Sequence, residues 1–163
     1  MRIYLDNAAT TPIDERVIET MLEALRNTNG NPSSIHQEGR TARAAIEQAR
    51  RQIARMLKAS IGEIFFTSGG TESSNMALKR AVQDLGVRRI ISARTEHHCV
   101  WHSLETLEKE HGVEVLYVEQ ESNGHIHLEH LETLLQHSQS KTLVSLMHAN
   151  NEIGTLLDLD RVS

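Results

Sequence analysis

The sequence predicts an α/β fold, a mostly parallel sheet with helices on both faces. Short apolar runs recur at Ile64–Thr67, Arg89–Ala93, Val113–Val118 and Thr142–Met147. None shows the polar alternation of a half-exposed strand, which is the pattern of strands covered on both faces. Segments with apolar residues at helical spacing follow the runs, at Thr71–Leu85, Val100–Glu110 and Leu128–Gln136. Repeated strand–helix–strand order calls for crossover connections, and crossovers make neighbouring strands parallel.

Two helices are expected ahead of this alternation. Thr11-Pro12-Ile13-Asp14-Glu15 reads as a helix start, with a capping hydroxyl at Thr11, proline in the first turn and acids near the positive helix end. Val17, Ile18, Met21, Leu22 and Leu25 continue it. Asn27 to Ser34 is a loop by composition. A long helix then carries Ile35, Ala42, Ile46, Ala49, Ile53 and Leu57 along one face.

With 163 residues the chain is the size of one domain, and its 39% hydrophobic and 24% charged residues describe an ordinary globular protein. The net charge of −5 is spread without blocks, so nothing points to nucleic acid or a membrane surface. The basic stretch Arg43–Lys58 also carries an apolar stripe and reads as a solvated helix face. A single cysteine, Cys99, excludes an intrachain disulfide and makes a cytoplasmic location the default expectation. The N-terminus lacks the pattern of a signal peptide, and no transmembrane run occurs. Only five residues are aromatic (one Trp, two Tyr, two Phe), so the core must be aliphatic. Ten histidines make any one of them weak evidence by itself.

Open α/β sheets bind ligands outside the carboxyl ends of their strands. Three polar clusters fall there: Ser68-Gly69-Gly70-Thr71-Glu72-Ser73, Thr95-Glu96-His97-His98 and His148-Ala149-Asn150-Asn151-Glu152. The first joins a strand to a helix N-terminus through two glycines and several hydroxyls, a combination suited to anions. It matches neither the Walker A pattern nor G-x-G-x-x-G. An ordinary tight turn with a capped helix explains the same residues, and both readings stay open. The second cluster puts an imidazole at a strand end. His98, Cys99 and His102 could instead form a metal site, since the two histidines are four apart. No second Cys/His pair completes a structural zinc site, and no metal is assigned. The third cluster says only that polar groups stand where a buried strand ends.

Together these segments resemble the signature segments of cysteine desulfurases of the NifS/IscS type, in the class V aminotransferase group of pyridoxal-phosphate (PLP) enzymes. The resemblance rests on Asp6-Asn7-Ala8-Ala9-Thr10-Thr11-Pro12, Gly30-Asn31-Pro32-Ser33-Ser34-Ile35-His36, Phe66 to Ser73, Thr95-Glu96-His97 and His148 to Gly154, in that order along the chain. It implies a partial large domain of the PLP-dependent transferase fold over residues 15–163, with residues 1–14 on the small-domain side. It implies pyridoxal 5'-phosphate as cofactor, held at its phosphate by the Gly70 backbone and by Thr71. His97 would stack on the pyridine ring and act in proton transfer as the catalytic residue, and Asn151 would bond near the phenolic oxygen. The implied activity converts L-cysteine to L-alanine and an enzyme persulfide, which supplies sulfur for iron–sulfur clusters or thio-cofactors. A homodimer and a sulfur-acceptor scaffold protein are the implied partners.

The family's Schiff-base lysine, pyridine-facing aspartate and persulfide cysteine belong to a later part of its sequence. None of Lys58, Lys79, Lys109 or Lys141 has the Ser-Gly-His-Lys-like context of that lysine. The 163-residue chain by itself is therefore expected to be inactive and to self-associate through uncovered sheet. Two other readings are a different class V PLP enzyme, such as a selenocysteine lyase, and a non-catalytic piece that binds a partner.

Overall fold

Residues 3–136 and 139–163 are described by a computed structural model, in which the chain divides into two units, Met1–Phe66 and Thr67–Ser163. The first unit is helical. Helix α1 covers Glu15–Asn27, and its cap is Asp14 rather than the expected Thr11. The Asp14 carboxylate accepts the Arg16 N–H at 2.9 Å and pairs with the Arg16 guanidinium at 2.8 Å. A carboxylate that can do both makes the stronger cap, and the arginine beside it holds its pKa below the usual range. Thr11 and Pro12 lie before the helix.

Helix α2 covers Gln37–Met56 and buries Gly39, Ala42 and Ala54. The expected apolar face is shorter than its periodicity suggested. Ile35 and Leu57 lie outside the helix and are 90% and 67% exposed. His36 caps α2 through Nδ1, which accepts the Gly39 N–H at 3.3 Å. The 27–34 loop folds back tightly onto this first turn. A Cβ built on Gly39 would lie 2.6 Å from the carbonyl oxygens of Asn31 and Ser34, so the close approach requires glycine.

One expected strand does not form. Among the described residues Ile64–Thr67 has no ladder partner. Its apolar residues are held by α2 instead: Arg50 donates to the Ile64 carbonyl and sets its guanidinium 4.8 Å from the centre of the Phe66 ring. A side-chain clamp of this kind satisfies one carbonyl, whereas a strand must pair a whole row of N–H and C=O groups.

In the second unit the order is α3 (Gly70–Gln83), β1 (Arg89–Ser92), α4 (His98–His111), β2 (Glu114–Tyr117), α5 (Leu128–Gln136), β3 (Thr142–Val144) and α6 (Leu159–Val162). The strands form one parallel sheet in the order β2-β1-β3, as the alternation predicted. Strand β1 is buried throughout, with Ile90 and Ile91 on opposite faces. Ile90 packs with Leu78, Ala81 and Val82 of α3 and with Val100, Leu104 and Leu107 of α4. Ile91 packs with Val118 and with Leu131 of α5, and Val162 of α6 adds to that side. Helices therefore cover both faces. The entry to β1 is closed by Arg89, 5% exposed, whose guanidinium donates to the Leu134 carbonyl at 2.7 Å and pairs with Glu114 at 3.1 Å.

Gly39→Ala should cost about 1–3 kcal/mol, because the new methyl meets backbone oxygens that cannot swing away. Urea unfolding of the variant measures it, and an unchanged midpoint would show that the 27–34 loop yields freely.

Candidate functional site

All the residues expected to act on a ligand lie in the second unit, on three segments that leave or enter the sheet's carboxyl edge. Gly70 opens α3, with Gly69 as its cap. The turn is tied down by its own side chains: the Glu72 carboxylate accepts the Ser68 N–H at 2.6 Å and the Ser68 hydroxyl at 2.7 Å. Those bonds hold Glu72 below the ordinary carboxylate range, hence ionised. The Thr67 and Ser73 hydroxyls meet at 2.6 Å across the turn. Asn75 donates to the Thr71 carbonyl at 2.9 Å.

The two glycines behave unlike Gly39. A Cβ added at Gly69 or Gly70 would meet nothing within 4 Å. The protein's own packing therefore does not demand glycine there, and the backbone is open to something from outside. The first N–H groups of α3 have no carbonyl one turn earlier within the helix, and the exposed Thr71 hydroxyl adds a further donor. A helix start bared in this way fits a phosphate.

His97 stands at the start of α4 and is its cap. Its Nδ1 accepts the Cys99 N–H at 3.1 Å and lies 3.0 Å from Cys99 Sγ. With Nδ1 accepting, the neutral ring carries its proton on Nε2. The ring is exposed at the sheet edge, so Nε2 is the nitrogen left for a ligand. Cys99 thus belongs to the cap. The His98 and His102 rings stack on one another with centroids 6.3 Å apart. Among the described residues no three His, Cys, Asp or Glu side chains form a group that could hold a metal ion.

Asn151 is exposed on the loop after β3, and its amide donates to the Glu152 carboxylate at 3.1 Å. Its neighbour Asn150 is buried and bonded inward. The Asn150 amide donates to the Thr95 carbonyl at 2.8 Å, and its Oδ1 accepts the N–H groups of Glu152 and Ile153 at 2.9 and 3.1 Å. A second bond uses a side chain of the other loop, the Glu96 carboxylate, which accepts the Met147 N–H. Desolvation pushes the Glu96 pKa upward, opposed by that bond. The loop carrying His97 and the loop carrying Asn151 are thus joined twice. The segment carrying Gly70 and Thr71 is joined to α4 by a separate contact, in which the buried Ser103 hydroxyl donates to Asn75 at 2.8 Å. Behind the two joined loops lies a cavity of about 20 Å³, lined by Thr95, Glu96, Met147 and Asn150 among others. It has room for about one water molecule. Sequence reasoning named Glu96 and Asn150 only as members of polar clusters and gave no role to Asn75 or Ser103. What they do follows from β1 and β3 being neighbours, which no local spacing encodes.

The chain is 44% identical to the cysteine desulfurase IscS of Dictyoglomus turgidum over 99% of its own length and 41% of that protein. It is likewise 44% identical to the cysteine desulfurase IscS of Vibrio vulnificus, over 98% of itself and 40% of the relative. Among solved structures, a NifS-like protein matches with a TM-score of 0.89 and 41% identity, across 99% of this chain and 44% of the other. SspA in complex with cysteine matches with a TM-score of 0.80 and 32% identity, across 95% of this chain and 44% of the other. The chain thus spans about two fifths of the length of these relatives. The model of the class V aminotransferases matches residues 3–163, and the chain belongs to that family.

Proposed function

We propose that these residues form the cofactor-phosphate end and ring-facing edge of a PLP-dependent cysteine desulfurase, which takes sulfur from L-cysteine and leaves L-alanine. The observation that carries this reading is the 44% identity to a cysteine desulfurase over 99% of the chain. The solved relative in complex with cysteine supports the choice of substrate. In this reading residues 15–163 are the first part of the PLP-binding domain and residues 1–14 belong to the small-domain side. A homodimer, a sulfur-acceptor protein and a cytoplasmic setting complete the proposal. No helix among the described residues is long and apolar enough to cross a membrane.

Pyridoxal phosphate, when bound, supplies an electron sink for the amino-acid substrate. The chain's residues supply the rest. Gly70 N–H and the Thr71 hydroxyl would hold the phosphate, aided by the positive end of α3. Asn151 would orient the ring through its amide. His97 would face the ring with Nδ1 held as acceptor in the cap, so its Nε2–H would be the hydrogen offered to the substrate in proton transfer. The lysine that binds the cofactor covalently is none of Lys58, Lys79, Lys109 or Lys141. Lys79 and Lys109 lie within α3 and α4, and Lys141 precedes β3 at the far end of that strand.

Three measurements test this. The full-length protein with pyridoxal phosphate and L-cysteine should form alanine and, with a reductant present, an equal amount of sulfide. Bound cofactor with no alanine would defeat the reading. Thr71→Val should weaken cofactor binding by about 1.5–3 kcal/mol, the worth of a hydrogen bond to a charged group, while leaving the melting temperature unchanged. Equal cofactor affinity in titration would remove Thr71 from the site. His97→Asn keeps an oxygen that can cap α4 but has no nitrogen to exchange a proton. Turnover should fall by about 10²–10⁴-fold with little change in melting, and a large melting loss with normal turnover would make His97 a structural cap alone.

A further inference from the structure

Glu96 has no task in the chemistry above, yet it is placed with care. It sits one residue before His97, and its carboxylate turns away from water to meet the Met147 N–H, 51 residues along the chain. Half-burying a carboxylate for a single backbone bond is costly, so the bond itself explains the residue. Asn150 makes the reverse contact. It sits one residue before Asn151 and donates to the Thr95 carbonyl, one residue before Glu96. It also accepts the next two free N–H groups of its own loop, those of Glu152 and Ile153. Each loop thus lends one side chain to the other's backbone. In each loop the lent side chain is adjacent in sequence to a residue of the proposed cofactor set, within about 3.8 Å from Cα to Cα. Strand pairing ends at Val144, so beyond it no ladder fixes the distance between the loops.

We propose that Glu96 and Asn150 form a reciprocal clasp that sets where His97 and Asn151 stand relative to one another, so that Glu96 is a positioning residue for the reaction. Its length and its acceptor oxygen matter, and its charge does not. Glutamine keeps both, aspartate keeps the charge but loses the reach, and alanine loses everything.

The test uses Glu96→Ala, Glu96→Gln and Glu96→Asp in the full-length protein. Hydrogen exchange at the Met147 amide is read without cofactor. It should quicken at least tenfold in Glu96→Ala and Glu96→Asp and stay near wild type in Glu96→Gln. With pyridoxal phosphate loaded, the first two should lose at least tenfold in kcat with KM for L-cysteine within about threefold, and should change the visible circular dichroism of the cofactor. Glu96→Gln should restore both. Glu96→Asp decides the matter should Glu96→Ala not fold. Unchanged Met147 exchange in the aspartate variant overturns the clasp. Faster exchange with normal kcat and normal dichroism overturns the positioning role. The kinetic arm rests on the desulfurase reading and the exchange arm does not. A wild-type protein that binds no pyridoxal phosphate defeats that reading, and Met147 exchange then judges the clasp alone.

Discussion

Strand β1 is the member on which the second unit depends, because among the described residues it alone is paired on both edges and packed on both faces. Its four residues are all buried, and three of them, Ile90, Ile91 and Ser92, have no exposed surface. Ile90 gathers α3 and α4 on one side, and Ile91 gathers α5 and α6 on the other. Fully burying such a side chain contributes roughly 1.5–3 kcal/mol, but the larger consequence is geometric. A central parallel strand fixes the direction of its neighbours, so the segments leaving β1 and β3 emerge at the same edge. Arg89 closes the other end of the strand, where its charge is matched by Glu114 and its Nη1 donates to a helix carbonyl.

From that constraint the site follows by short steps. The edge at which β1 and β3 end carries His97 and Asn151, and α3, packed on α4, brings its start to the same region of the unit. Polar side chains then replace the ladder where strand pairing stops. Glu96, Asn150, Asn75 and Ser103 spend their hydrogen bonds on backbone or on each other. Beside them Thr71, His97 and Asn151 are exposed. Inward-bonded and outward-facing polar residues alternate almost position by position, as Asn150 and Asn151 show most directly.

The fold of the second unit was legible in the sequence because its signals are local. Runs without alternation marked strands, apolar spacing marked helices, and α5 has the bounds the spacing predicted. The clusters at the carboxyl ends were legible for the same reason. What failed was whatever depended on a partner. Ile64–Thr67 has the composition of a strand, but composition does not say whether another strand lies beside it. Thr11 has a capping hydroxyl, but three residues on Asp14 offers a capping carboxylate with an arginine to hold it. Glu96 was visible as an acid in a polar cluster, and only the strand order brings it to Met147.

The strand order also has a consequence for how the unit comes together. The link from β1 to β2 spans one helix, whereas the link from β1 to β3 spans roughly twice as much chain. Closing a loop costs more as it lengthens, by about 0.6 kcal/mol for each doubling, and contacts distant in sequence form late. The β1–α4–β2 element can therefore assemble early and by itself, with β3 docking afterwards along the remaining free edge. Both bonds between the His97 and Asn151 loops require β3 in place. A newly made chain would possess most of this unit's core before the His97 and Asn151 loops were joined, so that part of the site is set only when β3 docks.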